Sequence, residues 1–315
     1  MEQKSHITNE LETAGPRAKY DAYAKRIFSD KYILAHILNA TIPEFIGHPI
    51  DEIIECIEST PHVSSIPLYP GKTSQAIAGI STESKIPNEG EVFFDILFEA
   101  YTPDQNREKV IIDVEIQNKF HTGYDMTVRG DFYCARILSS ELGREFDIPD
   151  YQNVVRIYSI WICTDCPRDI QNTITAFPRT TQKIFGNWNR QTQINTMTPI
   201  IVCLGKGKTL GKGAPLHHLL ETIISKNLTV QQKLDILESE YGIKQSYDRK
   251  ELLNSMCNLS EGIFQDGVKT GVTNANIETA RNLRKNGVSM NVIKKSIPSL
   301  TPAELEAIEH EQPEN

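Results

Sequence analysis

Apolar and polar residues alternate with period two along Phe93-Phe94-Asp95-Ile96-Leu97-Phe98-Glu99-Ala100-Tyr101, and again along Val110-Ile111-Ile112-Asp113-Val114-Glu115-Ile116-Gln117. Such alternation predicts two half-buried strands. Thr102-Pro103-Asp104-Gln105-Asn106 between them has the composition of a turn, so the simplest arrangement is an antiparallel hairpin. Folding about Gln105 sets Asp95 opposite Glu115, Leu97 opposite Asp113 and Phe93 opposite Gln117. Phe94, Ile96 and Phe98 then share a face with Ile112, Val114 and Ile116, while Asp95, Glu99, Asp113, Glu115 and Gln117 share the other. Residues 75–82 alternate weakly and reach the hairpin through Pro87-Asn88-Glu89-Gly90, which predicts a three-stranded meander over 75–117.

Elsewhere the period changes. Residues 20–39 follow helical spacing through Tyr23, Ile27 and Phe28, with Ser29-Asp30 as an N-cap before the apolar run 32–38. Residues 50–58 predict a short helix. Residues 125–142 predict a longer one, in which Arg129, Tyr133, Arg136 and Ser140 form one stripe and Phe132 and Ile137 are left to face a core. The β-branched and aromatic run 154–163 predicts a buried strand that returns to the same sheet, and 198–204 another. From Pro215 onward the spacing is helical: 216–225, 230–241 and 250–259, then a polar stretch punctuated by Gly262, Gly267 and Gly271 that reads as a linker or weak helix. Segments 274–286, 290–296 and 302–310 follow, suiting either a small helix-turn-helix unit or a partner-binding, self-associating bundle. The pattern is α/β, divided into a domain over 18–245 and a helical tail over 246–315, the tail being the element through which a homo-oligomer would form.

The acidic face of the hairpin changes the picture. Asp and Glu are poor strand formers, and like charges across a ladder repel. Hard divalent cations neutralise such a patch, Mg²⁺ taking one or two carboxylates beside phosphate oxygens. The patch therefore reads either as a metal site for phosphodiester chemistry or as a solvated acidic face. The Arg129–Tyr133–Arg136 stripe suits phosphate contact, since Arg makes charge-assisted bonds to phosphate; the plain alternative is a surface helix with local ion pairs.

Composition bounds these readings. The net charge of −8 argues against a broad basic surface, though not against a local basic cleft. Six cysteines at irregular spacing, a polar start and no apolar run of bilayer length predict reduced thiols, a cytoplasmic protein and no membrane partner. Cys163 and Cys166 lack the second ligand pair that zinc needs. The basic, glycine-rich stretch 205–213 lacks the order of a phosphate-binding loop, because position 202 is Val. It reads as a flexible loop, near DNA or on a plain surface. His36, on an apolar helix, reads as a packed histidine.

Several stretches in order resemble the PD-(D/E)XK nuclease family transposases, the Rpn-type recombination-promoting nucleases. These are Ser81-Thr82-Glu83, the turn into Phe94-Asp95-Ile96, Val114-Glu115-Ile116-Gln117-Asn118-Lys119, Gly123-Tyr124, the Arg129–Tyr133–Arg136 stripe, Tyr158-Ser159-Ile160-Trp161-Ile162-Cys163, and a tail running from Ala280 through Asn286-Gly287 to Leu305. The resemblance covers about residues 18–300. It implies a three-layer α/β/α restriction-endonuclease-like core around a mixed sheet, and Mg²⁺- or Mn²⁺-dependent hydrolysis of DNA phosphodiesters in recombination or transposition. Asp95 and Glu115 would be metal ligands, joined by the carbonyl of Ile116 and, as an accessory ligand, Glu83. Gln117 stands where the superfamily has Lys; a glutamine orients water but carries no charge, and Lys119, two residues on, would supply it. Arg129 and Tyr133 would contact phosphate or brace the carboxylates, with Arg136 on the same DNA-facing stripe. The alternative is a catalytically weak or inactive relative serving as a DNA- or protein-binding module.

Overall fold

The computed structural model describes residues 16–57, 62–63, 83–86, 90–93, 95–117, 120, 123–190, 195–209 and 211–310, with 16–18, 62–63, 83–86, 90–93 and 260–269 described through their backbone alone. Among the described residues the first three helices are α1 (Pro16–Phe28), α2 (Lys31–Thr41) and α3 (Ile50–Cys56). The break between the first two falls at the expected cap, where the Asp30 carboxylate accepts the Tyr32 N–H at 2.9 Å. Strands β1 (His62–Val63), β2 (Glu83–Ile86), β3 (Gly90–Phe93), β4 (Ile96–Tyr101) and β5 (Lys109–Gln117) follow. Helix α4 (Met126–Ser140) crosses over to β6 (Arg156–Cys163), and β7 (Thr173–Ala176) and β8 (Met197–Cys203) are the last strands among the described residues. Six of these strands form one sheet in the order β1-β4-β5-β6-β8-β7, while β2 and β3 pair separately. Strands β5, β6 and β8 run parallel at the centre, with antiparallel neighbours on both sides.

The hairpin has the register that the turn composition predicts, with Leu97 opposite Asp113 and Phe98 opposite Ile112. Its first arm is shorter than the alternation suggests. Phe93 belongs to β3 and pairs with Glu83, not with Gln117. The chain leaves the ladder at Asp95, whose backbone and side chain bond to Glu115 and Ile116. The expected meander is thus two sheets; its residues 75–82, and Phe94, lie outside the described residues.

Helices cover both faces of the sheet, giving a mixed α/β architecture compatible with three layers. On one face Ile96, Phe98, Ile112, Val114, Ile160 and Val202 pack against Ile27, Phe28, Leu34 and Ile37 of the leading helices and against α5 (Pro215–Ile224) and α6 (Val230–Tyr241). On the other, Leu97, Ile111, Trp161 and Ile201 pack against Met126, Tyr133, Cys134 and Ile137 of α4. A Cβ on Gly130 would lie 2.8 Å from Pro199 Cβ, so glycine lets α4 sit close on β8. This alters the expected orientation of α4 in part: Ile137 faces the core as expected, but Phe132 does not. Tyr133 of the stripe faces the sheet, where its ring meets Trp161 edge-on at 5.0 Å, and Phe132 is 51% exposed. An amphipathic tyrosine and the guanidinium of Arg129 over the ring are better partners for the indole than the pattern of charges alone implies.

The chain divides into two compact units, residues 1–256 and 257–315. Helix α7 (Tyr247–Lys285) is continuous through Gly262, Gly267 and Gly271, in place of the expected linker. Isolated glycines cost a helix about 1 kcal/mol each, and no proline falls within α7 to break it. Gly287, at φ +82°, ends this run before α8 (Met290–Ser296) and α9 (Pro302–His310). Ala280, Ile293, Ile297, Leu300 and Ile308 form a small core of their own in the second unit.

Candidate active site

The face of β5 that carries Asp113 and Glu115 turns towards α4 and is closed to water: Asp113 is fully buried and Glu115 is 5% exposed. Alternation puts both acids on this face, and α4 packs over it. Ser159 and Trp161, opposite Asp113 and Glu115 on β6, form a hydrogen-bonded chain. The indole Nε1–H donates to Ser159 Oγ at 2.9 Å, and the Ser159 hydroxyl donates to Asp113 Oδ2 at 2.7 Å. Oδ1 of Asp113 meets no donor among the described residues unless Glu115 carries a proton, in which case the two carboxyls bond to each other.

Asp95 closes the end of the hairpin. Its N–H donates to Glu115 Oε1 at 2.8 Å, and the Ile116 N–H donates to Asp95 Oδ2 at 3.1 Å. The other Asp95 oxygen, Oδ1, lies 2.7 Å from Lys25 Nζ, which also reaches Asp21 Oδ2 at 2.8 Å. On the far side, Arg129 donates to Tyr124 Oη at 2.6 Å, to Tyr133 Oη at 3.1 Å and, at 3.4 Å, to Gln117 Oε1. Its guanidinium lies 4.8 Å from the centre of the Trp161 ring.

Burial dominates the electrostatics. It pushes the Asp113 carboxyl up to about 8, with the Ser159 hydroxyl pulling the other way and the Asp95 charge adding to the rise. Burial, then the charges of Asp113 and Asp95, hold Glu115 well above the usual carboxylate range. Asp95 is raised by burial too, against the opposing pull of Lys25 and the Ile116 N–H. Burial disfavours the Lys25 cation, but Asp95 and Asp21 outweigh it and raise the pKa. Burial and the Glu115 charge push Tyr133 up to about 12.

Sequence reasoning and structure meet at Asp95, Glu115, Ile116, Gln117, Arg129 and Tyr133, which lie together at one end of the sheet. Arg136 does not join them on an open face: it is 4% exposed. The Glu83 side chain and all of Lys119 lie outside the described residues. Sequence reasoning missed Lys25. The signal was the Asp21–Lys25 spacing of four, which makes an ion pair on the helix surface, but its approach to Asp95 is a tertiary contact. His36 is packed as expected, with Nε2 3.0 Å from the Tyr241 carbonyl.

Hard divalent cations suit this donor set. Asp95, Glu115 and the Ile116 carbonyl offer oxygen, Mg²⁺ needs few protein ligands, and Asp113 Oδ1 is a buried oxygen short of a donor. As they stand, the oxygens are turned to backbone N–H groups and to an ammonium; no group of three or more His, Cys, Asp or Glu among the described residues is arranged to hold a metal.

At the same end of the sheet the basic stretch following β8, expected as a flexible loop, is tied at two points. The Gly205 N–H donates to Glu221 Oε1 at 2.8 Å and the Gly211 N–H to Oε2 at 2.7 Å. No helix among the described residues is long and apolar enough to cross a membrane. In comparisons with known proteins no family model, curated protein or solved structure matches the chain.

Proposed function

We propose that this chain is a divalent-metal-dependent DNA endonuclease of the PD-(D/E)XK transposase type, with a restriction-endonuclease-like core and a helical tail that serves self-association. One observation carries the proposal: the Asp95–Glu115 clasp at the end of the hairpin, backed by the buried Asp113, gathers three carboxyls at one place. Protons occupying a buried acidic site are what a hard cation displaces. Mg²⁺ or Mn²⁺, when bound, would polarise the phosphate and activate a water.

The remaining work falls to the chain. Asp95 and Glu115, with the Ile116 carbonyl, would hold the cation, and Asp113, fixed by Ser159 and Trp161, sets the position of Glu115. Arg129 orients the Gln117 carboxamide by donating to its oxygen, and a carboxamide so fixed can direct a water without taking its proton. Arg129 and Tyr133 supply donors to a phosphate at the mouth of the site. Lys25 brings to Asp95 the positive charge that Gln117 lacks.

Plasmid nicking with Mg²⁺ or Mn²⁺, beside Asp95→Ala and Glu115→Ala, tests this. Each substitution should reduce cleavage at least 100-fold with the fold intact; undiminished cleavage by either would overturn the assignment. The Lys25–Asp95 ion pair favours a second reading, because an ammonium already neutralises the site. In that case the chain is a DNA-binding module, and the same assay shows salt-dependent retention of DNA without cutting.

A further inference from the structure

Residues 170–220 contain no Asp or Glu and six cations: Arg179, Lys183, Arg190, Lys206, Lys208 and Lys212. Taking those six from the 33 Lys and Arg leaves 27 against all 41 acids, so the rest of the chain carries −14. The cations fall in two groups around β8. Lys206, Lys208 and Lys212 follow its C-terminal end, which through Cys163 is in register with Gln117. Arg179, Lys183 and Arg190 precede its N-terminal end. The two groups are separated by a seven-residue strand, about 20 Å at the usual rise.

Residues 177–190 leave β7 and are exposed throughout. Three cations alternate there with Phe177, Ile184, Phe185 and Trp188; Phe185 is fully exposed and Trp188 is 60% exposed. Large aromatic surfaces left in water mark interaction sites. Aromatics interleaved with cations, with no acid among them, fit a polyanion with flat faces to stack on, which is the chemistry of single-stranded nucleic acid.

We infer that residues 177–190 form a nucleic-acid-binding arm, in which Phe185 and Trp188 stack on unpaired bases of a DNA strand while Arg179, Lys183 and Arg190 take its phosphates, with Lys206, Lys208 and Lys212 continuing the track at the far end of β8. This rests on DNA being the partner in the proposed function, and it adds where and in what form the strand is held.

The chain has two tryptophans, and only Trp188 is exposed, so stacking has its own optical signature. The full chain would be titrated with a fluorescein-labelled single-stranded oligothymidine, following anisotropy and tryptophan emission, with nicking measured in parallel. The expected result is saturable quenching of Trp188 and a loss of about tenfold or more in affinity on joint Phe185→Ala and Trp188→Ala substitution. Joint Arg179→Ala, Lys183→Ala and Arg190→Ala should flatten the slope of log affinity against log salt by about 2, at about 0.7 per phosphate contact. These side chains are exposed, and circular dichroism checks that the variants fold. Parent-like binding by both variants, absence of quenching, or failure of the parent to bind the strand each overturns the arm. So does an arm-dependent dimer whose DNA affinity ignores the arm, which would make a second copy of the chain the occupant. A parent that binds through the arm but never nicks removes the nuclease reading and keeps the arm; a parent whose nicking and binding survive loss of the arm does the reverse.

Discussion

Glu221 and the Asp113–Glu115 pair are both buried acids at the same end of one sheet, and they are finished differently. Each Glu221 oxygen receives a backbone N–H, from Gly205 and from Gly211. Asp113 has the Ser159 hydroxyl on one oxygen and no donor on the other, and Glu115 has the Asp95 N–H on one of its own. A buried carboxylate given enough donors is a structural fastener. One left short holds a proton or takes a cation. The contrast explains why glycine-rich, lysine-rich sequence around Glu221 is tied at two points, and why the β5 acids are the candidate reactive centre.

The largest effect on stability should come from the fastener. Glu221→Ala leaves the buried Gly205 N–H without an acceptor, at about 1–3 kcal/mol, and also removes the acceptor of the more exposed Gly211 N–H. Urea denaturation should show that loss, while divalent-cation binding stays intact. A variant as stable as the parent would mean the loop is held by something other than Glu221.

Next is pH. The Asp113 pKa is raised in the folded chain to about 8, so its contribution to stability is complete below the ordinary carboxylate range and is lost as pH climbs towards 8; Glu115 shifts in the same direction. Without divalent cation the parent should lose on the order of a few kcal/mol between pH 4 and pH 8 relative to Asp113→Asn, whose amide does not titrate. Saturating Mn²⁺ should abolish that difference in the parent. Parallel pH profiles for the two proteins would show that Asp113 is ionised throughout.

The smallest effect concerns Lys25. Lys25→Met removes the ammonium from Asp95 and Asp21, and the metal-free protein should lose about 1–3 kcal/mol, discounted for partial exposure of the pair. Calorimetric Mn²⁺ affinity should rise, since no cation then competes for Asp95. Unchanged affinity would place Lys25 beside the ion and not in its seat.

Much of this was legible in the sequence. Alternation plus a turn fixed which residues of β4 and β5 face each other, and so brought Asp95 next to Glu115. The break at Asp95 was not legible, because it comes from side chain-to-backbone bonds across the hairpin and not from a glycine or proline. The face of α4 was legible at Ile137 but not at Phe132 or Tyr133, since an arginine–tyrosine stripe looks polar until Trp161 is there to receive it. Lys25 and Glu221 could not be placed, because their partners lie far along the chain and nothing in their local pattern names them.

The distance along the chain between Asp113 and the strand that bonds to its side chain sets an order of events. β4 and β5 close over a short turn, whereas Ser159 reaches Asp113 from 46 residues away. Short loops close sooner than long excursions. Asp113 is therefore hydrated when the hairpin forms, and one of its oxygens exchanges water for the Ser159 hydroxyl only when β6 docks.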